Sequence, residues 1–93
     1  MLSQLPINLS KVSKKDLDRE ILRLGMIAEL DAVNLYEQLA SMTENETIKK
    51  ILLDIAGEEK THIGEFQALL LQQDPEQAKE LEKGKREIEE LTN

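Results

Sequence analysis

Two long stretches nearly free of helix breakers, joined by almost no linker, constrain this chain more than any other feature of its 93 residues. From about Lys14 to Met42 and from Thr43 to about Gln73, Leu, Ile, Ala, Glu and Lys predominate and Gly and Pro are sparse. No run alternates with the period of two that a strand needs. Ser13, three residues before Asp16, can cap the first helix. Thr43-Glu44-Asn45-Glu46 has the spacing of a capping box, in which the Thr hydroxyl and the Glu carboxylate satisfy orphan amides, and it opens the second helix. Asp74-Pro75-Glu76-Gln77 marks a break and restart, with Asp74 as cap and Pro75 at the first position of a third helix running to about Glu90. The expected fold is all-α: an N-terminal extension over residues 1–13, an antiparallel two-helix hairpin over 14–73, and a C-terminal helix and tail over 74–93.

A connection of about two residues forces the long helices to fold back on each other. Each has roughly 29 residues, or about 43 Å at about 1.5 Å per residue. Two helices of that length cannot enclose a core, because each shields only one side of its partner's apolar face. The chain is therefore expected to associate. Ile27, Leu30, Leu53 and Leu71 fall off the main apolar arcs and are candidates for further subunit contacts, or else scattered surface apolars.

Charge and composition narrow the function. The net charge of −7 shows no basic patch, which argues against nucleic acid as a partner. There is no cysteine, so thiolate metal sites, disulfides and Cys nucleophiles are excluded within this sequence. No apolar run approaches the roughly 18 residues that span a bilayer, and the expectation is a soluble, unexported protein with no membrane partner.

Three ionisable residues stand where aliphatics belong. On a helical wheel at about 100° per residue, Glu29 lies inside the apolar arc of the first helix, between Leu22 and Gly25 above and Val33, Tyr36 and Ala40 below. On the second helix Glu59 and His62 lie within the arc that carries Ile48, Ile55, Ile63 and Phe66. Glu29 is expected to be buried, and an unpartnered carboxylate there costs several kcal/mol. From the turn at Thr43, Glu29 is 14 residues back and Glu59 and His62 are 16 to 19 forward. Those offsets correspond to about 21 Å and about 24–28 Å, within side-chain reach of each other.

Glu59-Lys60-Thr61-His62 is a Glu-x-x-His pair that presents a carboxylate and an imidazole on one helix face. Four-helix di-iron sites use two such pairs and one Glu from each of two further helices. The chain holds half of that set, and a two-fold dimer supplies the rest, with two Glu29, two Glu59 and two His62. Four carboxylates at −4 then balance two Fe²⁺ at +4. Such ligands suit Fe or Mn, and also redox-silent Zn. Tyr36, two turns on from Glu29, would place its phenol beside the metals or else serve as a core residue. The competing reading is a metal-free helical cargo or scaffold module, in which Glu29, Glu59, His62 and Tyr36 bond to one another and fix the helix register.

At Ala28-Glu29-Leu30-Asp31-Ala32-Val33-Asn34-Leu35-Tyr36 and Glu58-Glu59-Lys60-Thr61-His62 the sequence resembles the encapsulated ferritins, closest to the archaeal form fused ahead of the encapsulin shell protein. The resemblance covers Ile21 to about Glu76. It implies a ferritin-like four-helix bundle formed by dimerisation, with a ferroxidase centre of two Fe between subunits. Glu29, Glu59 and His62 match its ligands, Tyr36 matches the neighbouring tyrosine, and Asp31 keeps an acid of the route by which iron enters. The resemblance further implies a decameric ring of dimers, Fe²⁺ and O₂ as substrates, and mineral storage inside a cytoplasmic encapsulin nanocompartment. Many bacterial members carry an acid at Ala28 and a tryptophan at Leu35, and no encapsulation peptide is evident in Ile88-Glu89-Glu90-Leu91-Thr92-Asn93. A rubrerythrin-like reduction of peroxide ranks lower, because the sequence has no cysteine for a rubredoxin-type electron donor.

Overall fold

The structure, a computed structural model, describes residues 8–93; the expected extension over 1–13 lies partly outside them. A 3₁₀ turn at Leu9–Lys11 precedes three helices, α1 (Lys14–Met42), α2 (Glu46–Gln73) and α3 (Pro75–Thr92). No described residue lies in a strand. None of the described helices is long and apolar enough to cross a membrane.

The ends of the helices show where local sequence decided and where it did not. Ser13 occupies the N-cap of α1 in an extended conformation. Its hydroxyl donates to Asp16 Oδ2 at 3.0 Å rather than accepting from a helix amide. The capping box at Thr43 does not form. Thr43 is instead the extended residue that closes α1, and its hydroxyl oxygen accepts from the Asn45 amide at 3.2 Å. The chain uses three residues, Thr43 to Asn45, to reverse. Asn45 then caps α2, its Oδ1 accepting from the Thr47 and Ile48 amides, each at 3.0 Å. Asn caps at least as well as Thr, and it stands immediately before the first helical residue, Glu46.

A single residue, Asp74, separates α2 from α3, and Pro75 takes the first helical position as expected. The Asp74 amide closes α2 by donating to the Leu70 carbonyl at 2.8 Å. Its Oδ1 opens α3 by accepting from the Gln77 amide at 3.1 Å. α3 extends to Thr92, two residues beyond the expected end.

α1 and α2 pack antiparallel along their apolar stripes. Leu22 lines a shallow pocket with Leu69, Gly25 lies against Phe66, Glu29 faces His62, and Glu37 shares a pocket with Leu53. The buried apolar residues among those described are only Val33, Ala40, Ala56 and Leu70. Ile21, Ile48, Ile51 and Leu69 stay exposed although they belong to the inward arcs. Every residue of α3 from Lys79 onward is exposed. With extents of 47 × 44 × 20 Å, the molecule is a thin slab that cannot surround a core.

Candidate metal centre

α1 brings Glu29 and α2 brings Glu59 and His62 to the same depth of the hairpin. One ligand atom from each lies within 4.8 Å of the other two. His62 Nδ1 stands 3.4 Å from Glu29 Oε2 and 3.4 Å from Glu59 Oε2, so one imidazole nitrogen sits between two carboxylates. The carboxylate side chains are about four-fifths buried, whereas His62 is 45% exposed, which leaves the cluster open on the imidazole side. Ile51 and Leu69 fall within about 20° of His62 around α2, and both are exposed.

Glu29 Oε2 is buried and has no hydrogen-bond partner. The imidazole is close enough to attract it but is not in hydrogen-bonding geometry. A buried carboxylate oxygen left in that state bears the full desolvation cost of the group. The hydroxyl of Tyr36 makes no hydrogen bond to another described residue, so the self-satisfied network of the metal-free reading is not formed within one chain. Two oxygens and one nitrogen at this spacing are a donor set that fits Fe, Mn or Zn and fall short of a full coordination shell.

The other expected site residues lie apart from the cluster. Tyr36 is half-buried on α1, about 10 Å along the axis from Glu29. Asp31 is half-buried and about 200° round α1 from Glu29, on another face.

Two links were not anticipated. Arg23 on α1 sends Nη2 to Asp74 Oδ2 at 2.9 Å and ties α1 to the start of α3. The Gln77 amide, helped by Arg23 and Arg19 and opposed by burial, holds the Asp74 carboxyl below its ordinary value of 3.8. The contact spans 51 residues, and no local pattern encodes it. Gly25 against Phe66 did leave a signal, a glycine in the middle of an apolar stripe.

A helical hairpin that offers one Glu from the first helix and Glu-x-x-His from the second has the arrangement of half of a ferritin-like carboxylate site. Residues 20–92 match the Rubrerythrin family. The crystal structure of the encapsulated ferritin domain from Pyrococcus furiosus superposes with a TM-score of 0.84 at 57% identity, covering 99% of this chain and 96% of that one. The chain belongs to the encapsulated ferritin branch of this ferritin-like family. It is 58% identical over 94 residues to the ferritin-like-encapsulin shell fusion protein of the same organism, covering 99% of this chain and 27% of that protein. It is 43% identical over 72 residues to the encapsulin nanocompartment cargo protein EncC of Myxococcus xanthus, covering 74% of this chain and 55% of that protein. The chain thus spans about a quarter of the first protein and about half of the second.

Proposed function

We propose that two copies meet about a two-fold axis on the face bearing Glu29, Glu59 and His62, and that the four-helix bundle so formed is a ferroxidase. The orphaned Glu29 Oε2 carries this reading: a buried anionic oxygen beside two further metal donors demands a cation. The open imidazole side, with Ile51 and Leu69 exposed on the same line, supports a symmetry mate as the source of the missing ligands. Two sets of three donors hold two Fe²⁺ with the charges balanced.

Iron is the substrate: two Fe²⁺ held by Glu29, Glu59 and His62 of both copies would give one electron each, reducing O₂ with two protons from solvent to H₂O₂, and would leave as Fe³⁺. The protein's part is geometric and electrostatic. Glu29 and Glu59 favour the cations by charge, His62 Nδ1 adds a neutral donor, and the surrounding aliphatics limit water. Tyr36 contributes a phenol on the same stripe, and Asp31 is an acidic stop for iron on its way in. The hairpin over 14–73 carries the site, and residues 74–93 form a separate C-terminal helix and tail.

The same reading has the dimers assemble as a decameric ring and work inside an encapsulin shell within the cytoplasm; two relatives, one a fusion to an encapsulin shell and one an encapsulin cargo protein, support the shell. The exported product is then ferric iron for mineral kept by the shell. Reduction of peroxide at the same centre is the second reading, favoured by the Rubrerythrin family match. With no cysteine here, its electrons must come from elsewhere.

Anaerobic protein given about two Fe²⁺ per dimer and then air should show a rapid rise of ferric absorbance. Glu29→Ala and His62→Ala should abolish that phase, and wild-type kinetics in both variants would refute the assignment.

A further inference from the structure

At Gly25 a side chain of α2 lies against bare backbone of α1. A Cβ placed on Gly25 would stand 2.7 Å from Phe66 Cε1 and 2.9 Å from Cδ1 and Cζ, distances that real Cβ contacts do not reach. A Cβ at Gly57, Gly64 or Gly84 would meet nothing within 4 Å. Glycine is unfavourable inside a helix, so a glycine under a ring is a local concession to something non-local. Its position indicates what. Gly25 lies one turn before Glu29 and Phe66 one turn after His62, so the ring-in-notch contact stacks directly on the ligand cluster along the same two facing stripes.

We infer that Gly25 and Phe66 are positioning residues for the metal centre. The ring seated on the Gly25 backbone sets the separation and axial register of α1 against α2, and that register carries the Glu29 carboxylate to the Glu59 and His62 pair. The inference rests on reading those three residues as metal ligands. Metal–ligand bonds are about 2.0–2.2 Å long, and a site tolerates displacements of only about 0.5 Å. To reach ordinary contact at 3.4 Å, a methyl group on Gly25 and the ring must separate from 2.7 Å, a shift on the scale of that tolerance that the ring and the two helices must share. The same methyl raises helix propensity. Helix content and metal affinity should therefore respond differently, as a purely structural role would not require.

The test titrates the 93-residue chain with Co²⁺, following affinity and the visible absorption that reports coordination geometry, with far-UV circular dichroism alongside. Gly25→Ala should weaken Co²⁺ binding tenfold or more and alter the spectrum while helicity is retained. Phe66→Leu alone, which empties the notch, should also weaken binding. Gly25→Ala combined with Phe66→Leu should recover affinity to within about threefold of wild type, the added methyl taking up space the ring has left. Gly57→Ala and Gly64→Ala should match wild type. A wild-type spectrum and affinity in Gly25→Ala would overturn the inference, as would a loss that the double variant does not recover. If Gly25→Ala fails to fold, tighter binding by the double variant than by Phe66→Leu supports the inference, and equal or weaker binding overturns it. Failure of the underlying metal reading looks different: wild type would not bind Co²⁺, or Glu29→Ala would bind it as wild type does.

Discussion

Asp74 uses one carboxyl group for two tasks, Oδ1 accepting from the Gln77 amide in the first turn of α3 and Oδ2 accepting from the Arg23 guanidinium of α1. Both partners favour the charged form, which is why its pKa is lowered in the folded protein. For a carboxyl depressed on folding, the stabilisation is fully present above the unfolded value, here 3.8, and is lost as pH falls through the lower folded value. Acid titration followed by thermal melting should therefore show part of the loss of stability below about that value. Asp74→Asn, which keeps an acceptor for Gln77 but not the charge, should melt lower at neutral pH and lose less between neutral pH and pH 3 than wild type. An unchanged acid profile in the variant would show that Asp74 does not drive it. Glu29 is the opposite case at the same scale. Its Oε2 has no hydrogen-bond donor, so it carries a desolvation cost that a bound cation would lift.

Among the elements, the start of α2 separates two sequence patterns that both look like caps. Thr43 and Glu46 have the capping-box spacing, yet the amides of Thr47 and Ile48 go to Asn45. Asn45→Ala should cost about 1 kcal/mol in urea unfolding at fixed protein concentration. Thr43→Ala should stay within about 0.5 kcal/mol, since only a turn amide loses a partner. Equal costs would mean that both caps operate. α3 is held differently from the hairpin. Its anchorage is Asp74 and the first turn, together with Leu81, which lines a groove with Met26, Ile27, Leu30 and Leu70. The weak apolar stripe of Ala78, Leu81, Ile88 and Leu91 accounts for a helix that lies mostly in solvent. Surface ion pairs such as Lys60 to Glu37 at 3.3 Å add little to this arrangement.

At the scale of the whole molecule, exposed apolar residues fall on two different faces. Ile51 shares the face of His62, whereas Ile27 and Leu30 line the groove beside α3. Leu53 is exposed too, and Leu71, grouped with them from sequence, is half-buried instead. A charge on each face should have separable effects in native mass spectrometry. Ile51→Glu should prevent two-fold pairing and with it the retention of iron. Leu30→Glu should leave iron-bearing pairs but reduce larger assemblies. Monomers that keep iron in both variants would contradict a shared site.

What the sequence by itself determined is local or periodic. The three helices, Pro75 at the head of α3, and the placement of Glu29, Glu59 and His62 on inward stripes all follow from a repeat of about 3.6 residues and from the chemistry of breaks. Equal depth along the hairpin was legible because a short turn makes axial distance proportional to residue count. Only the tertiary structure decided which of two caps opens α2, since Thr43 is claimed by the end of α1. The same holds for the link from Arg23 to Asp74 and for the seat of Phe66 on Gly25. These depend on how two packed helices are spaced and rotated, and that is set by the summed contacts of side chains distant in sequence rather than by any one segment.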